Sequence, residues 1–442
     1  MTTAQDPLDT ALLPDCVTVG PGGRLRVGGR PLDELVADHD TPLFIYDLAE
    51  IRRNFERARA LFGHGVAYAT KAFVSGEIVR LADDTGLSLD VSTDGEYELA
   101  LAAGFPADRL VIHGNNKSDW LLERAVTDGV QWIVIDADAE ITRLVAVCER
   151  LDATVRVMVR VNPGVEVHTH EFVATGNRTS KFGIPAWTDA ATTALARVAA
   201  LPRLDLQGVH THIGSLVYSL DNFEKAIESL GHVVDAIDPD TVVVGGGLGV
   251  RYLNSDVAPS LASWATATTD ALRRTGFAGR VLAEPGRCLV AGSALTVYSV
   301  GAVKEVPDQT IVAVDGGMSD NPRPILYDSG YEVALADAVD APRAVPIRLV
   351  GSHCESGDTL VHRGWVSRRP TAGDLLITPV TGAYGYAMAS NYNRMRRPAI
   401  LFVDGDRSWV GVRRESFADM RACDRFFDDQ RAGAPSRGTT GP

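Results

Sequence analysis

Paired cysteines, long apolar runs and an excess of basic residues are all missing from this sequence. The five cysteines are scattered and form no C-x-x-C pair, so neither a disulfide framework nor a zinc site is indicated. We therefore expect a cytoplasmic protein without a bound metal. No uninterrupted apolar segment reaches bilayer length, and the first residues do not resemble an export signal, so neither membrane insertion nor secretion is expected. The cysteines are Cys16, Cys148, Cys288, Cys354 and Cys423.

The charge balance of the chain is acidic. The 43 Lys and Arg side chains against 57 Asp and Glu give a formal net charge of −14, which disfavours nucleic acid or an anionic membrane as a partner. We expect a small soluble substrate instead. Hydrophobic residues make up 45% of the chain, an ordinary proportion for a globular protein, and its 442 residues favour two domains.

Eight short β-rich runs alternate with amphipathic stretches of helical spacing beyond residue 40. This alternation is typical of a parallel sheet with crossover helices, and eight such runs predict a (β/α)₈ barrel over residues 44–290. The runs cover 66–71, 87–91, 109–113, 131–136, 155–161, 206–212, 241–247 and 279–285.

Each run closes on a polar residue or on glycine, which is unusual for a core strand. In a barrel these residues would converge on the carboxyl face, where barrel enzymes build their sites and often bind phosphate after strands seven and eight. The glycine-rich segment G-G-G-L-G would let backbone N–H groups approach an anion, although such a turn alone is more often only a turn. The residues are Lys71, Asp90, His113, Asp136, Arg160, His212, Gly245, Gly246, Gly247 and Glu284.

Lys71 closes the first run, V-A-Y-A-T-K-A-F. A buried and unpaired lysine is costly, and a lowered pKa would leave a neutral amine that can form a Schiff base. The alternative interpretation is that Lys71 ends an exposed strand with its ammonium group in water.

His212, Ser215 and Glu284 extend the predicted site. Ser215, in H-I-G-S, is a candidate phosphate donor, and His212 is expected to point into the barrel mouth, although a single histidine is more often structural. Glu284 begins the segment E-P-G-R. It is either a buried carboxylate paired with a ring nitrogen or a salt-bridge partner of Arg160 or Arg287.

The alternation stops after residue 290. Shorter β-rich runs then predict a second, mostly antiparallel β domain over 291–430, to which C-V-T-V and L-R-V-G-G within residues 1–43 add strands. The polar, Gly- and Pro-rich residues 431–442 are expected to form a loose tail. The predicted strands are L-T-V-Y-S-V, T-I-V-A-V-D-G-G, I-R-L-V-G, D-L-L-I-T-P and A-I-L-F-V-D-G.

Three stretches of the second domain are dense in reactive groups: N-P-R-P-I-L-Y, H-C-E-S-G-D-T-L and T-G-A-Y-G-Y-A-M-A-S-N-Y-N. An isolated cysteine such as Cys354 is more often a small buried hydrophobe. Its acidic neighbours Glu355 and Asp358 disfavour a thiolate, so it suits a proton donor better. Arg323 either caps a turn or, together with Arg287, forms an arginine pair that binds a carboxylate.

Eight ordered motifs resemble those of the diaminopimelate decarboxylases, pyridoxal-phosphate enzymes of fold type III with alanine-racemase-like barrels. The resemblance covers roughly residues 15–420. The motifs are Y-A-T-K-A, H-G-N-N-K, R-V-N-P-G-V with H-T-H and K-F-G-I, H-T-H-I-G-S, G-G-G-L-G, E-P-G-R, C-E-S-G-D and G-A-Y-G-Y-A-M-A-S-N-Y-N.

This resemblance implies pyridoxal 5'-phosphate as the cofactor. Lys71 would condense with its aldehyde, His212 would stack on its ring, and Glu284 would keep its pyridine nitrogen protonated. The phosphate would be bound by Ser215, Gly245, Gly246, Gly247 and the backbone around Gly286 and Arg287. The remaining cofactor contacts are expected from Asp90, Arg160 and Tyr384.

The resemblance also implies the decarboxylation of meso-2,6-diaminopimelate to L-lysine and carbon dioxide, the last step of lysine biosynthesis. The distal carboxylate would be bound by Arg287, Arg323 and Tyr327, and Tyr384 would lie between cofactor and substrate. Cys354 would be the proton donor, and Glu355 would bind the distal ammonium group. Both would come from the other subunit, so a homodimer with shared sites is expected.

The sequence departs from its relatives at a few positions. Asp94 replaces a small residue expected near the cofactor, and Tyr386 and Ala387 vary the G-A-Y-G segment, which leaves the substrate preference open. Decarboxylases of ornithine or arginine do not need the arginine pair, because their substrates have no distal carboxylate. A decarboxylase of another amino acid in a natural-product pathway and a non-catalytic pyridoxal-phosphate protein remain the alternatives.

Overall fold

The computed structural model describes residues 4–165, 176–307 and 309–427. The expected tail, 431–442, and the H-T-H motif at 168–170 lie outside these residues. Within them, no helix combines the length and the apolar composition that crossing a bilayer requires. In chain order the helices are α1 (Leu32–His39), α2 (Leu48–Phe62), α3 (Gly76–Thr85), α4 (Asp94–Ala102), α5 (Asp119–Asp128), α6 (Asp138–Arg150), α7 (Ala190–Ala199), α8 (Leu220–Glu228), α9 (Gly231–Ile237), α10 (Leu261–Arg274), α11 (Arg287–Val290) and α12 (Arg323–Tyr327).

The strands fall into three sheets. In chain order they are β1 (Val17–Val19), β2 (Leu25–Val27), β3 (Arg30–Pro31), β4 (Leu43–Asp47), β5 (Ala67–Ala69), β6 (Ser88–Val91), β7 (Leu110–Ile112), β8 (Trp132–Ile135), β9 (Val155–Asn162), β10 (Ile184–Pro185), β11 (Leu204–His210), β12 (Thr241–Val243), β13 (Arg280–Leu282), β14 (Ala294–Val306), β15 (Gln309–Val314), β16 (Ala334–Leu335), β17 (Val345–Val350), β18 (Thr359–Val366), β19 (Leu375–Pro379), β20 (Ala399–Asp404) and β21 (Arg407–Val412).

The first large sheet is parallel and contains the eight predicted strands. Its order is β13-β12-β11-β9-β8-β7-β6-β5, with the short β10 paired to β9. The sheet curls until its two ends meet, because the N–H groups of Ala67 and Ala69 donate to the carbonyls of Ala283 and Pro285, each at 3.1 Å. The predicted α/β class and the eight parallel strands are confirmed.

Local sequence explains why these strands and helices alternate. A strand such as β8 is buried along its whole length, as expected for a parallel strand with strands on both sides and helices over the outside of the sheet. Ser75 begins α3 by accepting a hydrogen bond from the Ile78 N–H, and Gly86 ends it in the left-handed region at φ 73°. Since all eight strands run in the same direction, the residues that follow them share one face of the barrel.

The second large sheet has the order β18-β17-β15-β14-β4-β20-β21, with β19 paired to β14 and β16 paired to β19. Strand β14 pairs antiparallel with β4, β15 and β19, whereas β15–β17 and β4–β20 are parallel pairs. Strand β4 thus belongs to this sheet, although the sequence-based division assigned residues from 44 onward to the barrel.

The first strands of the chain lie beside the second domain without joining its large sheet. Strands β1, β2 and β3 form a small antiparallel sheet of their own, because short connections pair each with the next. This small sheet is still attached to the second domain. The Leu25 N–H donates to the Ala336 carbonyl at 2.9 Å, and the Val339 N–H donates to the Gly23 carbonyl at 3.1 Å.

An aromatic contact joins the barrel to the second sheet next to Lys71. The Phe73 ring is fully buried and stacks on Tyr46 of β4, with ring centroids 4.2 Å apart and planes 18° apart. The backbone next to it is also tied to the second domain, because the Tyr384 N–H donates to the Ala72 carbonyl at 2.8 Å. The position of Lys71 therefore depends on both parts of the fold.

We expect Phe73→Ala to lower the free energy of unfolding by about 3–5 kcal/mol, because it leaves a cavity between the two sheets. Phe426→Ala is the matched control: this ring is 66% exposed, and its loss should change stability by less than about 1 kcal/mol. Urea unfolding followed by circular dichroism measures both variants. Equal stability of the two would contradict the role given to this contact.

Candidate active site

A cavity of about 370 Å³ lies at the carboxyl ends of the barrel strands. Most of its walls come from residues at or just after those ends, as the barrel arrangement predicts. Two tyrosines from the second domain, Tyr327 and Tyr384, complete the lining. The barrel residues that line it are Ala69, Lys71, Ser92, His113, Gly114, Asn115, Arg160, Phe182, His210, His212, Ser215, Gly246, Gly247, Glu284, Gly286 and Arg287.

Lys71 lies in this cavity and pairs with Asp90. Its Nζ is 3.3 Å from the Asp90 carboxylate, which is 2% exposed, whereas the lysine side chain is half exposed to the open cavity. Burial by itself would lower the pKa of Lys71, but Asp90, Tyr384 and Glu284 together outweigh it and raise this pKa above its ordinary value. The interpretation with a lowered pKa required an unpaired lysine, and Lys71 is paired in this chain.

Glu284 lies between two histidines. Its Oε1 is 2.9 Å from His113 Nε2, and its Oε2 is 2.9 Å from His210 Nε2. All three side chains are buried. An ionised carboxylate can only accept, so both imidazoles donate to it. Of the two interpretations, the salt bridge of Glu284 with Arg160 or Arg287 does not form, and Arg160 instead lies 3.7 Å from Asp136.

The two histidines keep Glu284 ionised. Burial by itself would raise the pKa of Glu284, but His113 and His210 outweigh it and hold this pKa well below its ordinary value. Burial lowers the pKa of His210 to about 4, so this imidazole is neutral at pH 7. The ligand atoms of the three residues lie within 4.8 Å of one another, a spacing that a metal ion could also use.

His210 was missed as a site residue by the sequence analysis. The signal was its position two residues before His212, since alternate residues of a strand point to the same side. His212 itself is half-buried in the cavity wall, and its Nδ1 accepts a hydrogen bond from the Gly246 N–H at 3.1 Å. Burial lowers the pKa of His212, and the nearby Lys71 and Arg160 lower it further.

The glycine segment packs backbone against backbone. Gly247 has φ 109°, and a Cβ there would meet the Gly214 carbonyl oxygen at 2.1 Å; a Cβ on Gly246 would meet the Glu284 carbonyl oxygen at 2.4 Å. Larger residues would therefore displace the loop. Gly246 and Gly247 line the cavity, whereas Gly245, with φ 67°, lies behind them.

Arg287 connects the glycine end of the cavity to the second domain. Its Nη2 donates to Ser215 Oγ at 2.8 Å, its Nη1 donates to Tyr252 Oη at 2.7 Å, and its guanidinium lies 4.5 Å above the Tyr384 ring. Its Nε is buried without a hydrogen-bond partner among the described residues. Ser215 and Arg287 are thus brought together as predicted.

Arg323 is only 1% exposed and is not among the residues that line the cavity. Its guanidinium lies 4.4 Å above the Tyr252 ring and is hydrogen-bonded to the Tyr331 hydroxyl. The predicted arginine pair therefore meets at Tyr252, a residue that the sequence analysis did not consider. Its only signal was its place three residues after the segment G-G-G-L-G.

Cys354 and Glu355 do not reach the cavity of their own chain. Both are exposed, and the Cys354 N–H donates to Asn393 Oδ1 at 3.2 Å. The Tyr392 hydroxyl lies 3.5 Å from a Glu355 carboxylate oxygen. Within one chain, Cys354 and Glu355 therefore lie away from the predicted site residues that line the cavity.

The sequence departures also lie away from the reactive groups. Asp94 is exposed in the first turn of α4, and its carboxylate accepts hydrogen bonds from the Ser118 hydroxyl at 2.9 and 3.0 Å. Asp94 is not among the residues that line the cavity, although Ser92, two residues earlier, is. Tyr386 packs edge-on against Phe44 and Phe73 in the contact between the domains.

Comparison with known proteins agrees with this geometry. The family model for the pyridoxal binding domain of pyridoxal-dependent decarboxylases matches residues 48–291. The diaminopimelate decarboxylase of Mycobacterium tuberculosis is 41% identical, with 90% of this chain and 94% of the relative covered. That of Bacillus subtilis is 39% identical, with 92% and 96% covered.

Solved structures give the same result. The diaminopimelate decarboxylase of Helicobacter pylori, complexed with L-lysine, has a TM-score of 0.83 and is 28% identical, with 90% of this chain and all of that chain covered. The resemblance seen in the sequence motifs is confirmed. This chain therefore belongs to the diaminopimelate decarboxylase family of the pyridoxal-dependent decarboxylases.

Proposed function

We propose that this protein decarboxylates meso-2,6-diaminopimelate to L-lysine and carbon dioxide, the last step of lysine biosynthesis. One observation carries the choice of substrate. The guanidiniums of Arg287 and Arg323 are buried close to one tyrosine, and among the described residues no carboxylate lies within ion-pair distance of either. Buried charges need a partner, so the arrangement fits a substrate with a second carboxylate.

The cavity fits pyridoxal 5'-phosphate. At one end, the tightly packed glycines, the Ser215 hydroxyl and the backbone around Gly286 and Arg287 would provide donors for a phosphate. Lys71 provides the amine that binds the aldehyde, with Asp90 beside it. When bound, the cofactor supplies an electron sink for the electrons that carbon dioxide leaves behind.

The remaining residues bind, orient and hold protons. Glu284, kept ionised by its two histidines, would hold a proton on the ring nitrogen, and His212 would cover one face of the ring. Arg160 and Tyr384 would complete the ring contacts. Tyr327 would join the two arginines at the distal carboxylate of the substrate.

We further propose a cytoplasmic homodimer in which Cys354 and Glu355 of one subunit complete the site of the other. This is supported by the exposure of both residues on a chain whose cavity does not contain them. Cys354 would donate the proton that replaces carbon dioxide, and Glu355 would bind the distal ammonium group of the substrate.

The substrate assignment is tested with a panel of amino acids. We expect the purified protein with pyridoxal phosphate to release carbon dioxide from meso-diaminopimelate faster than from lysine or ornithine, because only the former offers the arginines a second carboxylate. Release of carbon dioxide from labelled substrates measures all three. Faster turnover of ornithine would refute the role given to Arg287 and Arg323.

The attachment of the cofactor is tested chemically. We expect borohydride reduction of the holoenzyme to leave the cofactor on the peptide that contains Lys71, as read by peptide mapping with mass spectrometry. Lys71→Ala should carry no label and lose at least about 1,000-fold in kcat, the loss typical for a removed covalent catalyst. Lys225→Ala, on helix α8, is the control and should carry the cofactor label on Lys71 as the wild type does. A label on another lysine would contradict the assignment of Lys71.

Shared sites are tested by complementation. Lys71→Ala and Cys354→Ala should each be nearly inactive, whereas their co-expression should restore about a quarter of wild-type activity, since half the dimers then contain one intact site. A non-catalytic pyridoxal-phosphate protein would lose nothing on Cys354→Ala. Activity that stays at the level of the single variants after co-expression would contradict a shared site.

A further inference from the structure

Two positive charges meet at one buried tyrosine. Tyr252 accepts a hydrogen bond from Arg287 at 2.7 Å, and Arg323 lies 4.4 Å above its ring. Tyr331, whose hydroxyl bonds to Arg323, packs edge-on against Tyr252 with ring centroids 5.3 Å apart. Tyr252 thus contacts both arginines, whereas Tyr331 bonds to Arg323 alone.

The arginines would repel each other without an acceptor near them. Among the described residues the oxygens bonded to their side chains are hydroxyls, those of Ser215, Tyr252 and Tyr331, and none is a carboxylate. Burial by itself would raise the pKa of Tyr252, but Arg287 and Arg323 outweigh it and lower this pKa below its ordinary value. The two arginines therefore favour negative charge on the Tyr252 oxygen.

The backbone around Tyr252 is held independently of the arginines. The Tyr252 and Leu253 N–H groups both donate to the Asp256 carboxylate at 2.9 Å. The Arg251 side chain donates to Asp9 at 2.7 Å, which ties the loop to the start of the chain. Removal of the Tyr252 hydroxyl should therefore leave the loop in place and change only what the hydroxyl contacts.

We propose that Tyr252 is a positioning residue that holds Arg323 against Arg287, so that the two guanidiniums together bind the second carboxylate of the substrate. This inference rests on the proposed function and identifies the residue that sets its substrate specificity. Tyr252 does not line the cavity, so it acts through the arginines rather than on the reacting atoms. Its loss should weaken the binding of the distal carboxylate and leave the chemistry at Lys71 unchanged.

The experiment compares Tyr252→Phe with the wild-type holoenzyme. The variant keeps the ring beneath Arg323 and loses the acceptor for Arg287. We expect the KM for meso-diaminopimelate to rise about tenfold, the effect of losing one hydrogen bond to a charged group. The value of kcat should stay within about threefold, because the interaction is made in the ground state and transition state alike. The absorbance of the bound cofactor should not change.

Tyr97→Phe is the matched control. Tyr97 is fully buried, and its hydroxyl donates to Asp128 at 2.6 Å on the outer helices. The control variant therefore also loses the hydroxyl of a buried tyrosine, but away from both arginines. Its KM should equal that of the wild type. Tyr331→Phe, which removes the hydroxyl on Arg323 alone, should raise KM by less than Tyr252→Phe does, and it gives a second test should Tyr252→Phe fold poorly.

A second measurement separates this inference from the proposed function. Calorimetric titration with pimelate, the same dicarboxylate without its amino groups, tests carboxylate binding without turnover, and we expect about tenfold weaker binding to Tyr252→Phe. The role of Tyr252 would be overturned if Tyr252→Phe kept the pimelate affinity and the KM of the wild type. It would also be overturned if the variant lost kcat as much as it gained in KM, or if it lost the cofactor. A wild type that binds no pimelate would overturn it as well. A wild type that binds pimelate but releases no carbon dioxide from diaminopimelate would overturn only the proposed function.

Discussion

Glu284 carries a negative charge inside the barrel because two histidines donate to its two oxygens. An isolated ionised carboxylate at this depth would be costly, and the bonds from His113 and His210, each 2.9 Å long, offset that cost. The three residues follow or end β7, β11 and β13, so their contact also fixes how these strands meet. The Glu284 carboxylate in the cavity wall is therefore already charged and oriented.

The second domain is part of the same site. It contributes Tyr327 and Tyr384 to the cavity, and its β4 carries the ring on which Phe73 stacks, two residues after Lys71. The Tyr46 hydroxyl donates to the Gly382 carbonyl at 3.1 Å, just before Tyr384. Packing between the sheets therefore places the amine and the aromatic wall relative to each other, which a barrel alone would not do.

Charge is distributed unevenly around the cavity. At the Lys71 end, Asp90 and Glu284 are carboxylates, so a cationic amine and a protonated ring are stabilised there. At the other end, Arg287 in the cavity wall and Arg323 outside the lining bond to hydroxyls and favour anions. The separation of the two regions orients a substrate that carries both kinds of charge.

Much of the fold and of the site could be predicted from residue pattern. Alternating β-rich and amphipathic runs are a local property of the sequence, and they predicted all eight parallel strands. The polar residues that close these runs predicted that Lys71, Arg160, His212 and Glu284 share one cavity, because parallel strands end on one face. Pairings between distant segments could not be obtained in this way. No spacing rule indicates that β4 pairs with the second sheet, that Lys71 pairs with Asp90, or that Tyr252 lies between two arginines. Each of these contacts joins residues that only packing brings together.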